Sequence, residues 1–264
     1  MRPNPLLAAV SLALIALSTS PAFAADAPAP AAGNPDADQL LRQMSAILAA
    51  APAFSFEATR EIDPALMEGQ ALPEQARVIA SVQRPNKLGG RAESKSGTRR
   101  FVFDGRTLSL FDEKENTYAT VPMEMSLDGL VDQLDEKYGF TPPLAEFALS
   151  NPYAEFHRQA HTVTYLGRAK TSGGSLGLGG VECDRIGLKG KEADAELWIA
   201  VSDQLPRKLV ATFHRAGHPQ VRIAFLTWNL AAPVNAADFT FTPPKSAQKI
   251  EMWTTAQMQG AAKH

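Results

Sequence analysis

"FVFDGRTLSLFDEKENTYATVP", residues 101–122, reads as three short strands joined by two turns. Asp104-Gly105 is a strong two-residue hairpin signal, because a type I′ turn needs positive φ at both central positions. A turn centred there sets Phe101 opposite Leu108 and Arg99 opposite Leu110. A second turn across Asp112 to Asn116 is expected to bring Tyr118 beside Leu110. Side chains alternate between faces along a strand. Phe101, Phe103, Leu108, Leu110 and Tyr118 therefore gather on one side, with Arg100, Thr107, Ser109 and Thr117 on the other. The apolar side demands a cover, whether core, partner or ligand.

The pattern continues in both directions. Upstream, Leu40, Leu41, Met44, Ile47 and Leu48 recur at helical spacing behind a capping Asp36 or Asp38, and Pro52 ends that helix. "FSFEATREI" and "EQARVIASVQRP" then alternate as strands, with Ala76, Val78, Ala80 and Val82 on one face. Gly89-Gly90 fits a bulge or bend in a curved sheet. After Pro122, Ser126 caps a helix carrying Leu127, Leu130, Val131 and Leu134, and short helices follow Pro142-Pro143. Strands resume with "HTVTYLGRA", "GVECDRIGLKG", "AELWIAVS", "PRKLVATFHR" and "QVRIAFLTWNL". The expected fold class is α+β: a single curved antiparallel sheet, an incomplete β-barrel. An N-terminal helix and a mid-chain helical insertion lie on its concave face.

The chain's beginning bears on location. Arg2, an apolar run from Leu6 to Leu17 and the small-x-small triplet Ala22-Phe23-Ala24 make a secretory signal, with cleavage expected after Ala24. The run is too short to span a bilayer. Residues 1–24 thus read as the signal, 25–35 ("ADAPAPAAGNP" with Asp36 to follow) as a linker, 36–244 as one domain and 245–264 as a polar tail. Export to the periplasm follows. The 26 basic and 28 acidic side chains nearly balance and form no basic stripe. That argues against a nucleic-acid partner, whose binding rests on clustered phosphate contacts. Cys183 is the only cysteine, so no intramolecular disulfide is available.

Two motifs suggest chemistry and fall short of it. "GGSLG", residues 173–177, has the G-x-S-x-G form, with Asp184, Asp194, His214 and His218 following in hydrolase order. A nucleophile elbow needs Ser175 on a strand-to-helix turn, whereas here the loop runs into a strand. His157 with His161 and His214 with His218 have zinc-like spacing, but no further ligand completes a set. No cofactor, metal or catalytic residue is expected, and the serine esterase is the least favoured reading. Phe56, Trp198, Phe225 and Trp228 join the aromatic residues of the opening stretch as core or cavity wall.

Four stretches carry a resemblance: "QRPNKL" (83–88), "FDGRTLSLFDEKENTYAT" (103–120), "LPRKLV" (205–210) and "ADFTFTPP" (237–244). In order and spacing they resemble an uncharacterised family of periplasmic proteins. More faintly they are similar to the outer-membrane lipoprotein carriers, with Phe111 where those have Tyr and Glu113 in place of the Pro that follows. The resemblance implies a half-barrel whose apolar concave side is lidded by helices and, in the carriers, takes acyl chains. The expected function is a non-enzymatic periplasmic carrier holding an acyl chain, lipid or lipidated peptide. Phe56, Val78, Val82, Phe101, Phe103, Leu108, Leu110, Tyr118, Leu130 and Leu134 are its expected ligand-facing residues, and the middle helices its lid. An envelope sensor or protein-interaction module of the same fold is the alternative.

Overall fold

The computed structural model describes residues 35–67, 71–139, 144–171, 180–231 and 234–257. The expected signal, most of the linker before residue 35, and Ser175 with most of the glycine-rich loop lie outside them.

Helix α1 (Ala37–Ala50) starts where Asp36 accepts hydrogen bonds from the backbone N–H groups of Asp38 and Gln39, at 2.9 and 3.4 Å. Six strands follow: β1 (Ala53–Ile62), β2 (Glu74–Gln83), β3 (Lys87–Ser94), β4 (Gly97–Phe103), β5 (Thr107–Asp112) and β6 (Thr117–Pro122). Helix α2 (Leu127–Tyr138) is capped by Ser126, whose Oγ accepts from Gly129 N–H at 3.2 Å. A 3-10 turn (Ala145–Phe147) and helix α3 (Pro152–Gln159) lead into β7 (Ala160–Lys170), β8 (Glu182–Gly190), β9 (Ala193–Ala200), β10 (Pro206–Phe213) and β11 (Gln220–Asn229). A 3-10 turn at Ala236–Phe239 and a two-residue strand β12 (Gln248–Lys249) close the chain.

All the strands join one open sheet in the order β12-β6-β5-β4-β3-β2-β1-β11-β10-β9-β8-β7. Two meanders are fused by the long-range pairing of β1 with β11, and the strand sequence does not close on itself. The sheet is mixed where an antiparallel one was expected, because β12 runs parallel to β6.

The two hairpins of the opening stretch differ from their expected registers in an instructive way. Phe103 pairs with Leu108 and Phe101 with Leu110, across a turn longer than two residues. Asp104 Oδ1 accepts from the N–H groups of Arg106 and Thr107, at 2.9 and 2.8 Å, and so closes a wider loop. That shift of two leaves every side chain on its expected face. In the next hairpin Ala119, not Tyr118, pairs with Leu110. A slip of one residue reverses the faces. Tyr118 thus lies with Phe111, and Thr117 stands opposite Asp112.

One face of the sheet carries the helices and the main core. Leu41, Met44 and Leu48 of α1, Leu127, Leu130 and Leu134 of α2, Phe147 and Phe156 share one buried cluster with Phe54, Val82, Phe103, Leu108, Ile186 and Leu197 of the sheet. Phe56, Phe147, Phe225 and Trp228 pack as aromatic neighbours at its centre, with ring centroids 4.9 to 6.1 Å apart. Arg84, from the "QRPNKL" stretch, ties this layer together. Its guanidinium donates to the carbonyls of Ala51 (3.2 Å), Leu48 (3.1 Å), Ala148 (2.5 Å) and Leu149 (2.7 Å), bridging the end of α1 to the chain after the 3-10 turn.

The opposite face is covered by "ADFTFTPP". Phe239 is buried, Phe241 stacks between Phe111 and Tyr118 at 5.7 Å from each, and Ser81 Oγ donates to Asp238 at 2.6 Å. Gly89 makes this possible, since a Cβ there would lie 2.3 Å from the Asp238 carbonyl oxygen. The β3 ladder runs through Gly89-Gly90 without the expected bulge.

Candidate functional site

The helix-bearing face of β1 to β6 divides into rows across the strands, set by the registers. The first row is Phe54, Val82, Leu88, Phe103, Leu108 and Val121; all but the half-buried Val121 are buried. The second is Phe56, Ala80, Gly90, Phe101, Leu110 and Ala119. The third is Ala58, Val78, Ala92, Arg99, Asp112 and Thr117, and the fourth begins Arg60, Ala76, Ser94 and Gly97. Helix α2 belongs to the same buried cluster as the first row. Over the later rows a cavity of about 570 Å³ remains. That size falls in the range of roughly 300–1,000 Å³ that holds small-molecule ligands.

The floor of this cavity is made of small residues: Ala76, Ala80, Gly90, Ala92 and Ala119. A Cβ added at Gly90 would meet nothing nearer than Phe101, at 3.8 Å. Phe56, Val78, Phe101 and Leu110 supply apolar wall. Large residues at the floor positions would fill the hollow, so the alternation of small with large side chains is what creates it.

Charge collects at one end. Arg60, Glu74, Arg99 and Asp112 all line the cavity. Arg60 and Glu74 form an ion pair at 3.1 Å, with side chains only 12% and 16% exposed. Arg99 bridges Asp112 at 3.2 Å and approaches Glu74 at 3.9 Å, while Ser96 Oγ donates to Glu74 at 3.3 Å. Arg60 Nε is buried and has no hydrogen-bond partner among the described residues. Burial lowers the affinity of this guanidinium for its proton, and Glu74 works in the opposite direction. It stays charged, as arginine does. Burial would raise the Asp112 carboxyl, but donation from the N–H groups of Glu115 and Lys114 and from Arg99 holds it below its ordinary value.

The C-terminal segment forms part of the mouth. Asn116 Nδ2 donates to the Ser246 carbonyl at 2.8 Å, and Ile250 N–H to the Tyr118 carbonyl at 2.8 Å. The chain thereby turns round the β6 edge, and Ile250, Glu251 and Met252 reach the cavity. Thr255 then donates to the Lys137 carbonyl at the end of α2, at 3.3 Å.

The ten residues expected to face a ligand are thus distributed over three environments. Phe56, Val78, Phe101 and Leu110 line the cavity. Val82, Phe103, Leu108, Leu130 and Leu134 are sealed in the core behind it. Tyr118 is on the other face against Phe241. The small floor residues, the charged rim and the C-terminal strap were missed. Their signal is present all the same: Arg60, Glu74, Arg99 and Asp112 are charges placed at the apolar parity of β1, β2, β4 and β5.

The remaining motif residues are engaged elsewhere. His157 Nε2 lies 2.7 Å from Asp38 and joins α3 to α1 beside Tyr153 and Arg42. His214 contacts Asp194 through Nε2 at 3.2 Å and the Lys191 carbonyl through Nδ1 at 3.0 Å. Asp184 accepts from Tyr165 and Arg168 at 2.8 and 2.9 Å. Burial pushes the Cys183 thiol up to about 11.

An open sheet with helices over part of one face and a largely apolar hollow beside them is an incomplete β-barrel. The chain belongs to the family described as "Predicted periplasmic protein (DUF2092)", which residues 37–253 match. Among solved structures it is similar to an uncharacterised conserved protein from Thermus thermophilus. That match has 11% identity and a TM-score of 0.47, over 81% of this chain and 98% of that one. It is similar also to the MucA/MucB complex of Pseudomonas aeruginosa, at 15% identity and TM-score 0.44, over 79% and 62%. A LolA superfamily protein from Nitrosomonas europaea matches at 12% identity and TM-score 0.38, over 78% and 97%. At these scores the likeness is one of layout and assigns no activity. No curated protein matches the chain. Among the described residues no helix is long and apolar enough to cross a membrane.

Proposed function

We propose that this protein is a periplasmic binding or carrier protein, exported by the signal in residues 1–24, that holds a single acyl chain over the small-residue floor of β2, β3 and β6. The observation that carries this reading is the hollow itself: about 570 Å³ of apolar-floored space left beside the buried core. Burying ten methylenes contributes about 8 kcal/mol before ordering costs are subtracted. That gross figure corresponds to roughly micromolar affinity, enough for a cargo that must also leave. Phe56, Val78, Phe101 and Leu110 form the wall. Helix α2 is anchored in the core, so the C-terminal strap takes the part of movable cover. No catalytic step is proposed.

The mature protein, purified from a periplasm without detergent, should carry lipid in native mass spectrometry. Phe101→Asp should lose it while keeping wild-type circular dichroism. A lipid-free wild-type protein that also fails to take up added acyl chains rejects the reading. A second reading, an envelope interaction module, draws support from the strap, where Ile250 and Trp253 stand 46% and 50% exposed. In that case crosslinking in the envelope traps one defined protein, and the cavity stays empty.

A further inference from the structure

We propose that the cavity selects amphiphiles with an acidic oxyanion head, carboxylate or phosphate, and that Arg60 is the residue that reads it. This rests on the acyl-chain reading above and adds the chemistry of the head.

Three observations point the same way. First, the cavity has a direction. Its second row is apolar from Phe56 to Ala119, and charge appears at Arg99 and Asp112 in the third row and at Arg60 in the fourth. From the second row to the fourth is four residues, or about 14 Å of strand, and β1 to β6 spans about 24 Å across. An amphiphile therefore has one favourable orientation, tail on the alanine floor and head toward Arg60.

Second, the Arg60 guanidinium is incompletely satisfied. It spends one nitrogen on Glu74, and its Nε is buried with no acceptor among the described residues. Buried polar groups normally have partners, and a donor left without one is costly. Glu74 is itself shared among Arg60, Ser96 and Arg99, so the local carboxylate is already committed.

Third, the chemistry separates the possible heads. A neutral hydroxyl offers the guanidinium an acceptor without charge. An ammonium offers the guanidinium no acceptor, and the two carboxylates at this end, Glu74 and Asp112, are already paired with Arg60 and Arg99. An oxyanion receives charge-assisted hydrogen bonds, which are shorter and stronger than neutral ones.

The test compares four probes with one tail: dodecanoate, dodecyl phosphate, dodecanol and dodecylammonium. Binding to the mature protein is read by calorimetry below the aggregation limit of each. Dodecanoate or dodecyl phosphate should bind about tenfold or more tighter than dodecanol, the return of a hydrogen bond to a charged group. The tighter of the two anions identifies the head as carboxylate or phosphate. Acetate and inorganic phosphate, lacking a tail, should not compete. In Arg60→Gln the anion-to-alcohol ratio should fall to near one. Should that variant fail to fold, the charge-balanced Arg60→Gln/Glu74→Gln pair supplies the same ratio.

Equal affinity for dodecanoate, dodecyl phosphate and dodecanol overturns the head-group proposal and leaves the acyl-chain reading standing. So does an anion preference that survives loss of Arg60, or tightest binding of the ammonium. If none of the four binds, the acyl-chain reading fails, and the head-group proposal goes with it.

Discussion

Gly89 and Gly90 are neighbours in one strand and face opposite ways, so enlarging each should have opposite consequences. Gly90 points into the cavity, where an added Cβ finds only ordinary contact with Phe101 at 3.8 Å. Gly90→Leu should therefore fold, with a stability change within about 1 kcal/mol, the span of strand preferences. Its side chain would occupy floor space otherwise available to about three methylenes of a ligand. At about 0.8 kcal/mol each, that costs some ~2.4 kcal/mol of binding, on the order of 50-fold in Kd. Gly89 instead faces the turn that covers the far side of the sheet, with the Asp238 carbonyl oxygen only 2.3 Å from where a Cβ would sit. Gly89→Ala should cost roughly 1–3 kcal/mol through overpacking and leave the ligand affinity of the folded fraction unchanged. Urea midpoints and calorimetric titration with dodecanoate measure both quantities in both variants. If Gly90→Leu keeps the wild-type urea midpoint and binds as wild type does, no tail lies on the β3 floor and the reasoning is refuted.

Three further outcomes follow from the packing. Arg84→Met strips the donors from four carbonyl groups at the junction of α1 and the 145–149 turn. It should lower unfolding free energy by about 4 kcal/mol, seen as a reduced urea midpoint at unchanged slope. Burial, with a smaller push from Glu155, raises the Glu146 carboxyl from 4.5 to about 7. The folded state thus binds this proton more tightly than the unfolded chain, so stability should fall as pH rises from about 4.5 to about 7. Glu146→Gln should flatten that slope. The side chain is only partly covered, and the drop should be smaller than for a fully enclosed carboxyl. Removing residues 247–264 takes away Ile250 and Met252 from the mouth of the cavity. A bound fluorescent fatty acid should then leave several-fold faster in stopped-flow displacement, and an unchanged off-rate would show that the strap does not hold the ligand in.

The strand alternation, the two helices announced by Asp36 and Ser126, and the long open sheet were all legible in the chain, because each depends on neighbours within a few residues. Alternation also marks which side chains share a face, and it placed Phe56, Val78, Phe101 and Leu110 on the side that holds the cavity. What it does not carry is the parity of a turn. In the first hairpin the Asp104 carboxylate widened the loop by an even step, and the faces survived. In the second an odd step sent Tyr118 to the far side.

Nor does an apolar residue announce what will cover it. Phe103 and Phe101 sit two apart on the same face of one strand. The first is fully buried in the core shared with α2, and the second lines open space. The difference comes from where α2 ends, from alanines and a glycine on three other strands, and from a C-terminal segment that crosses the β6 edge. Hydrophobicity is a property of one side chain, whereas a cavity is the volume that many distant side chains together decline to fill, and only the assembled tertiary structure sets it.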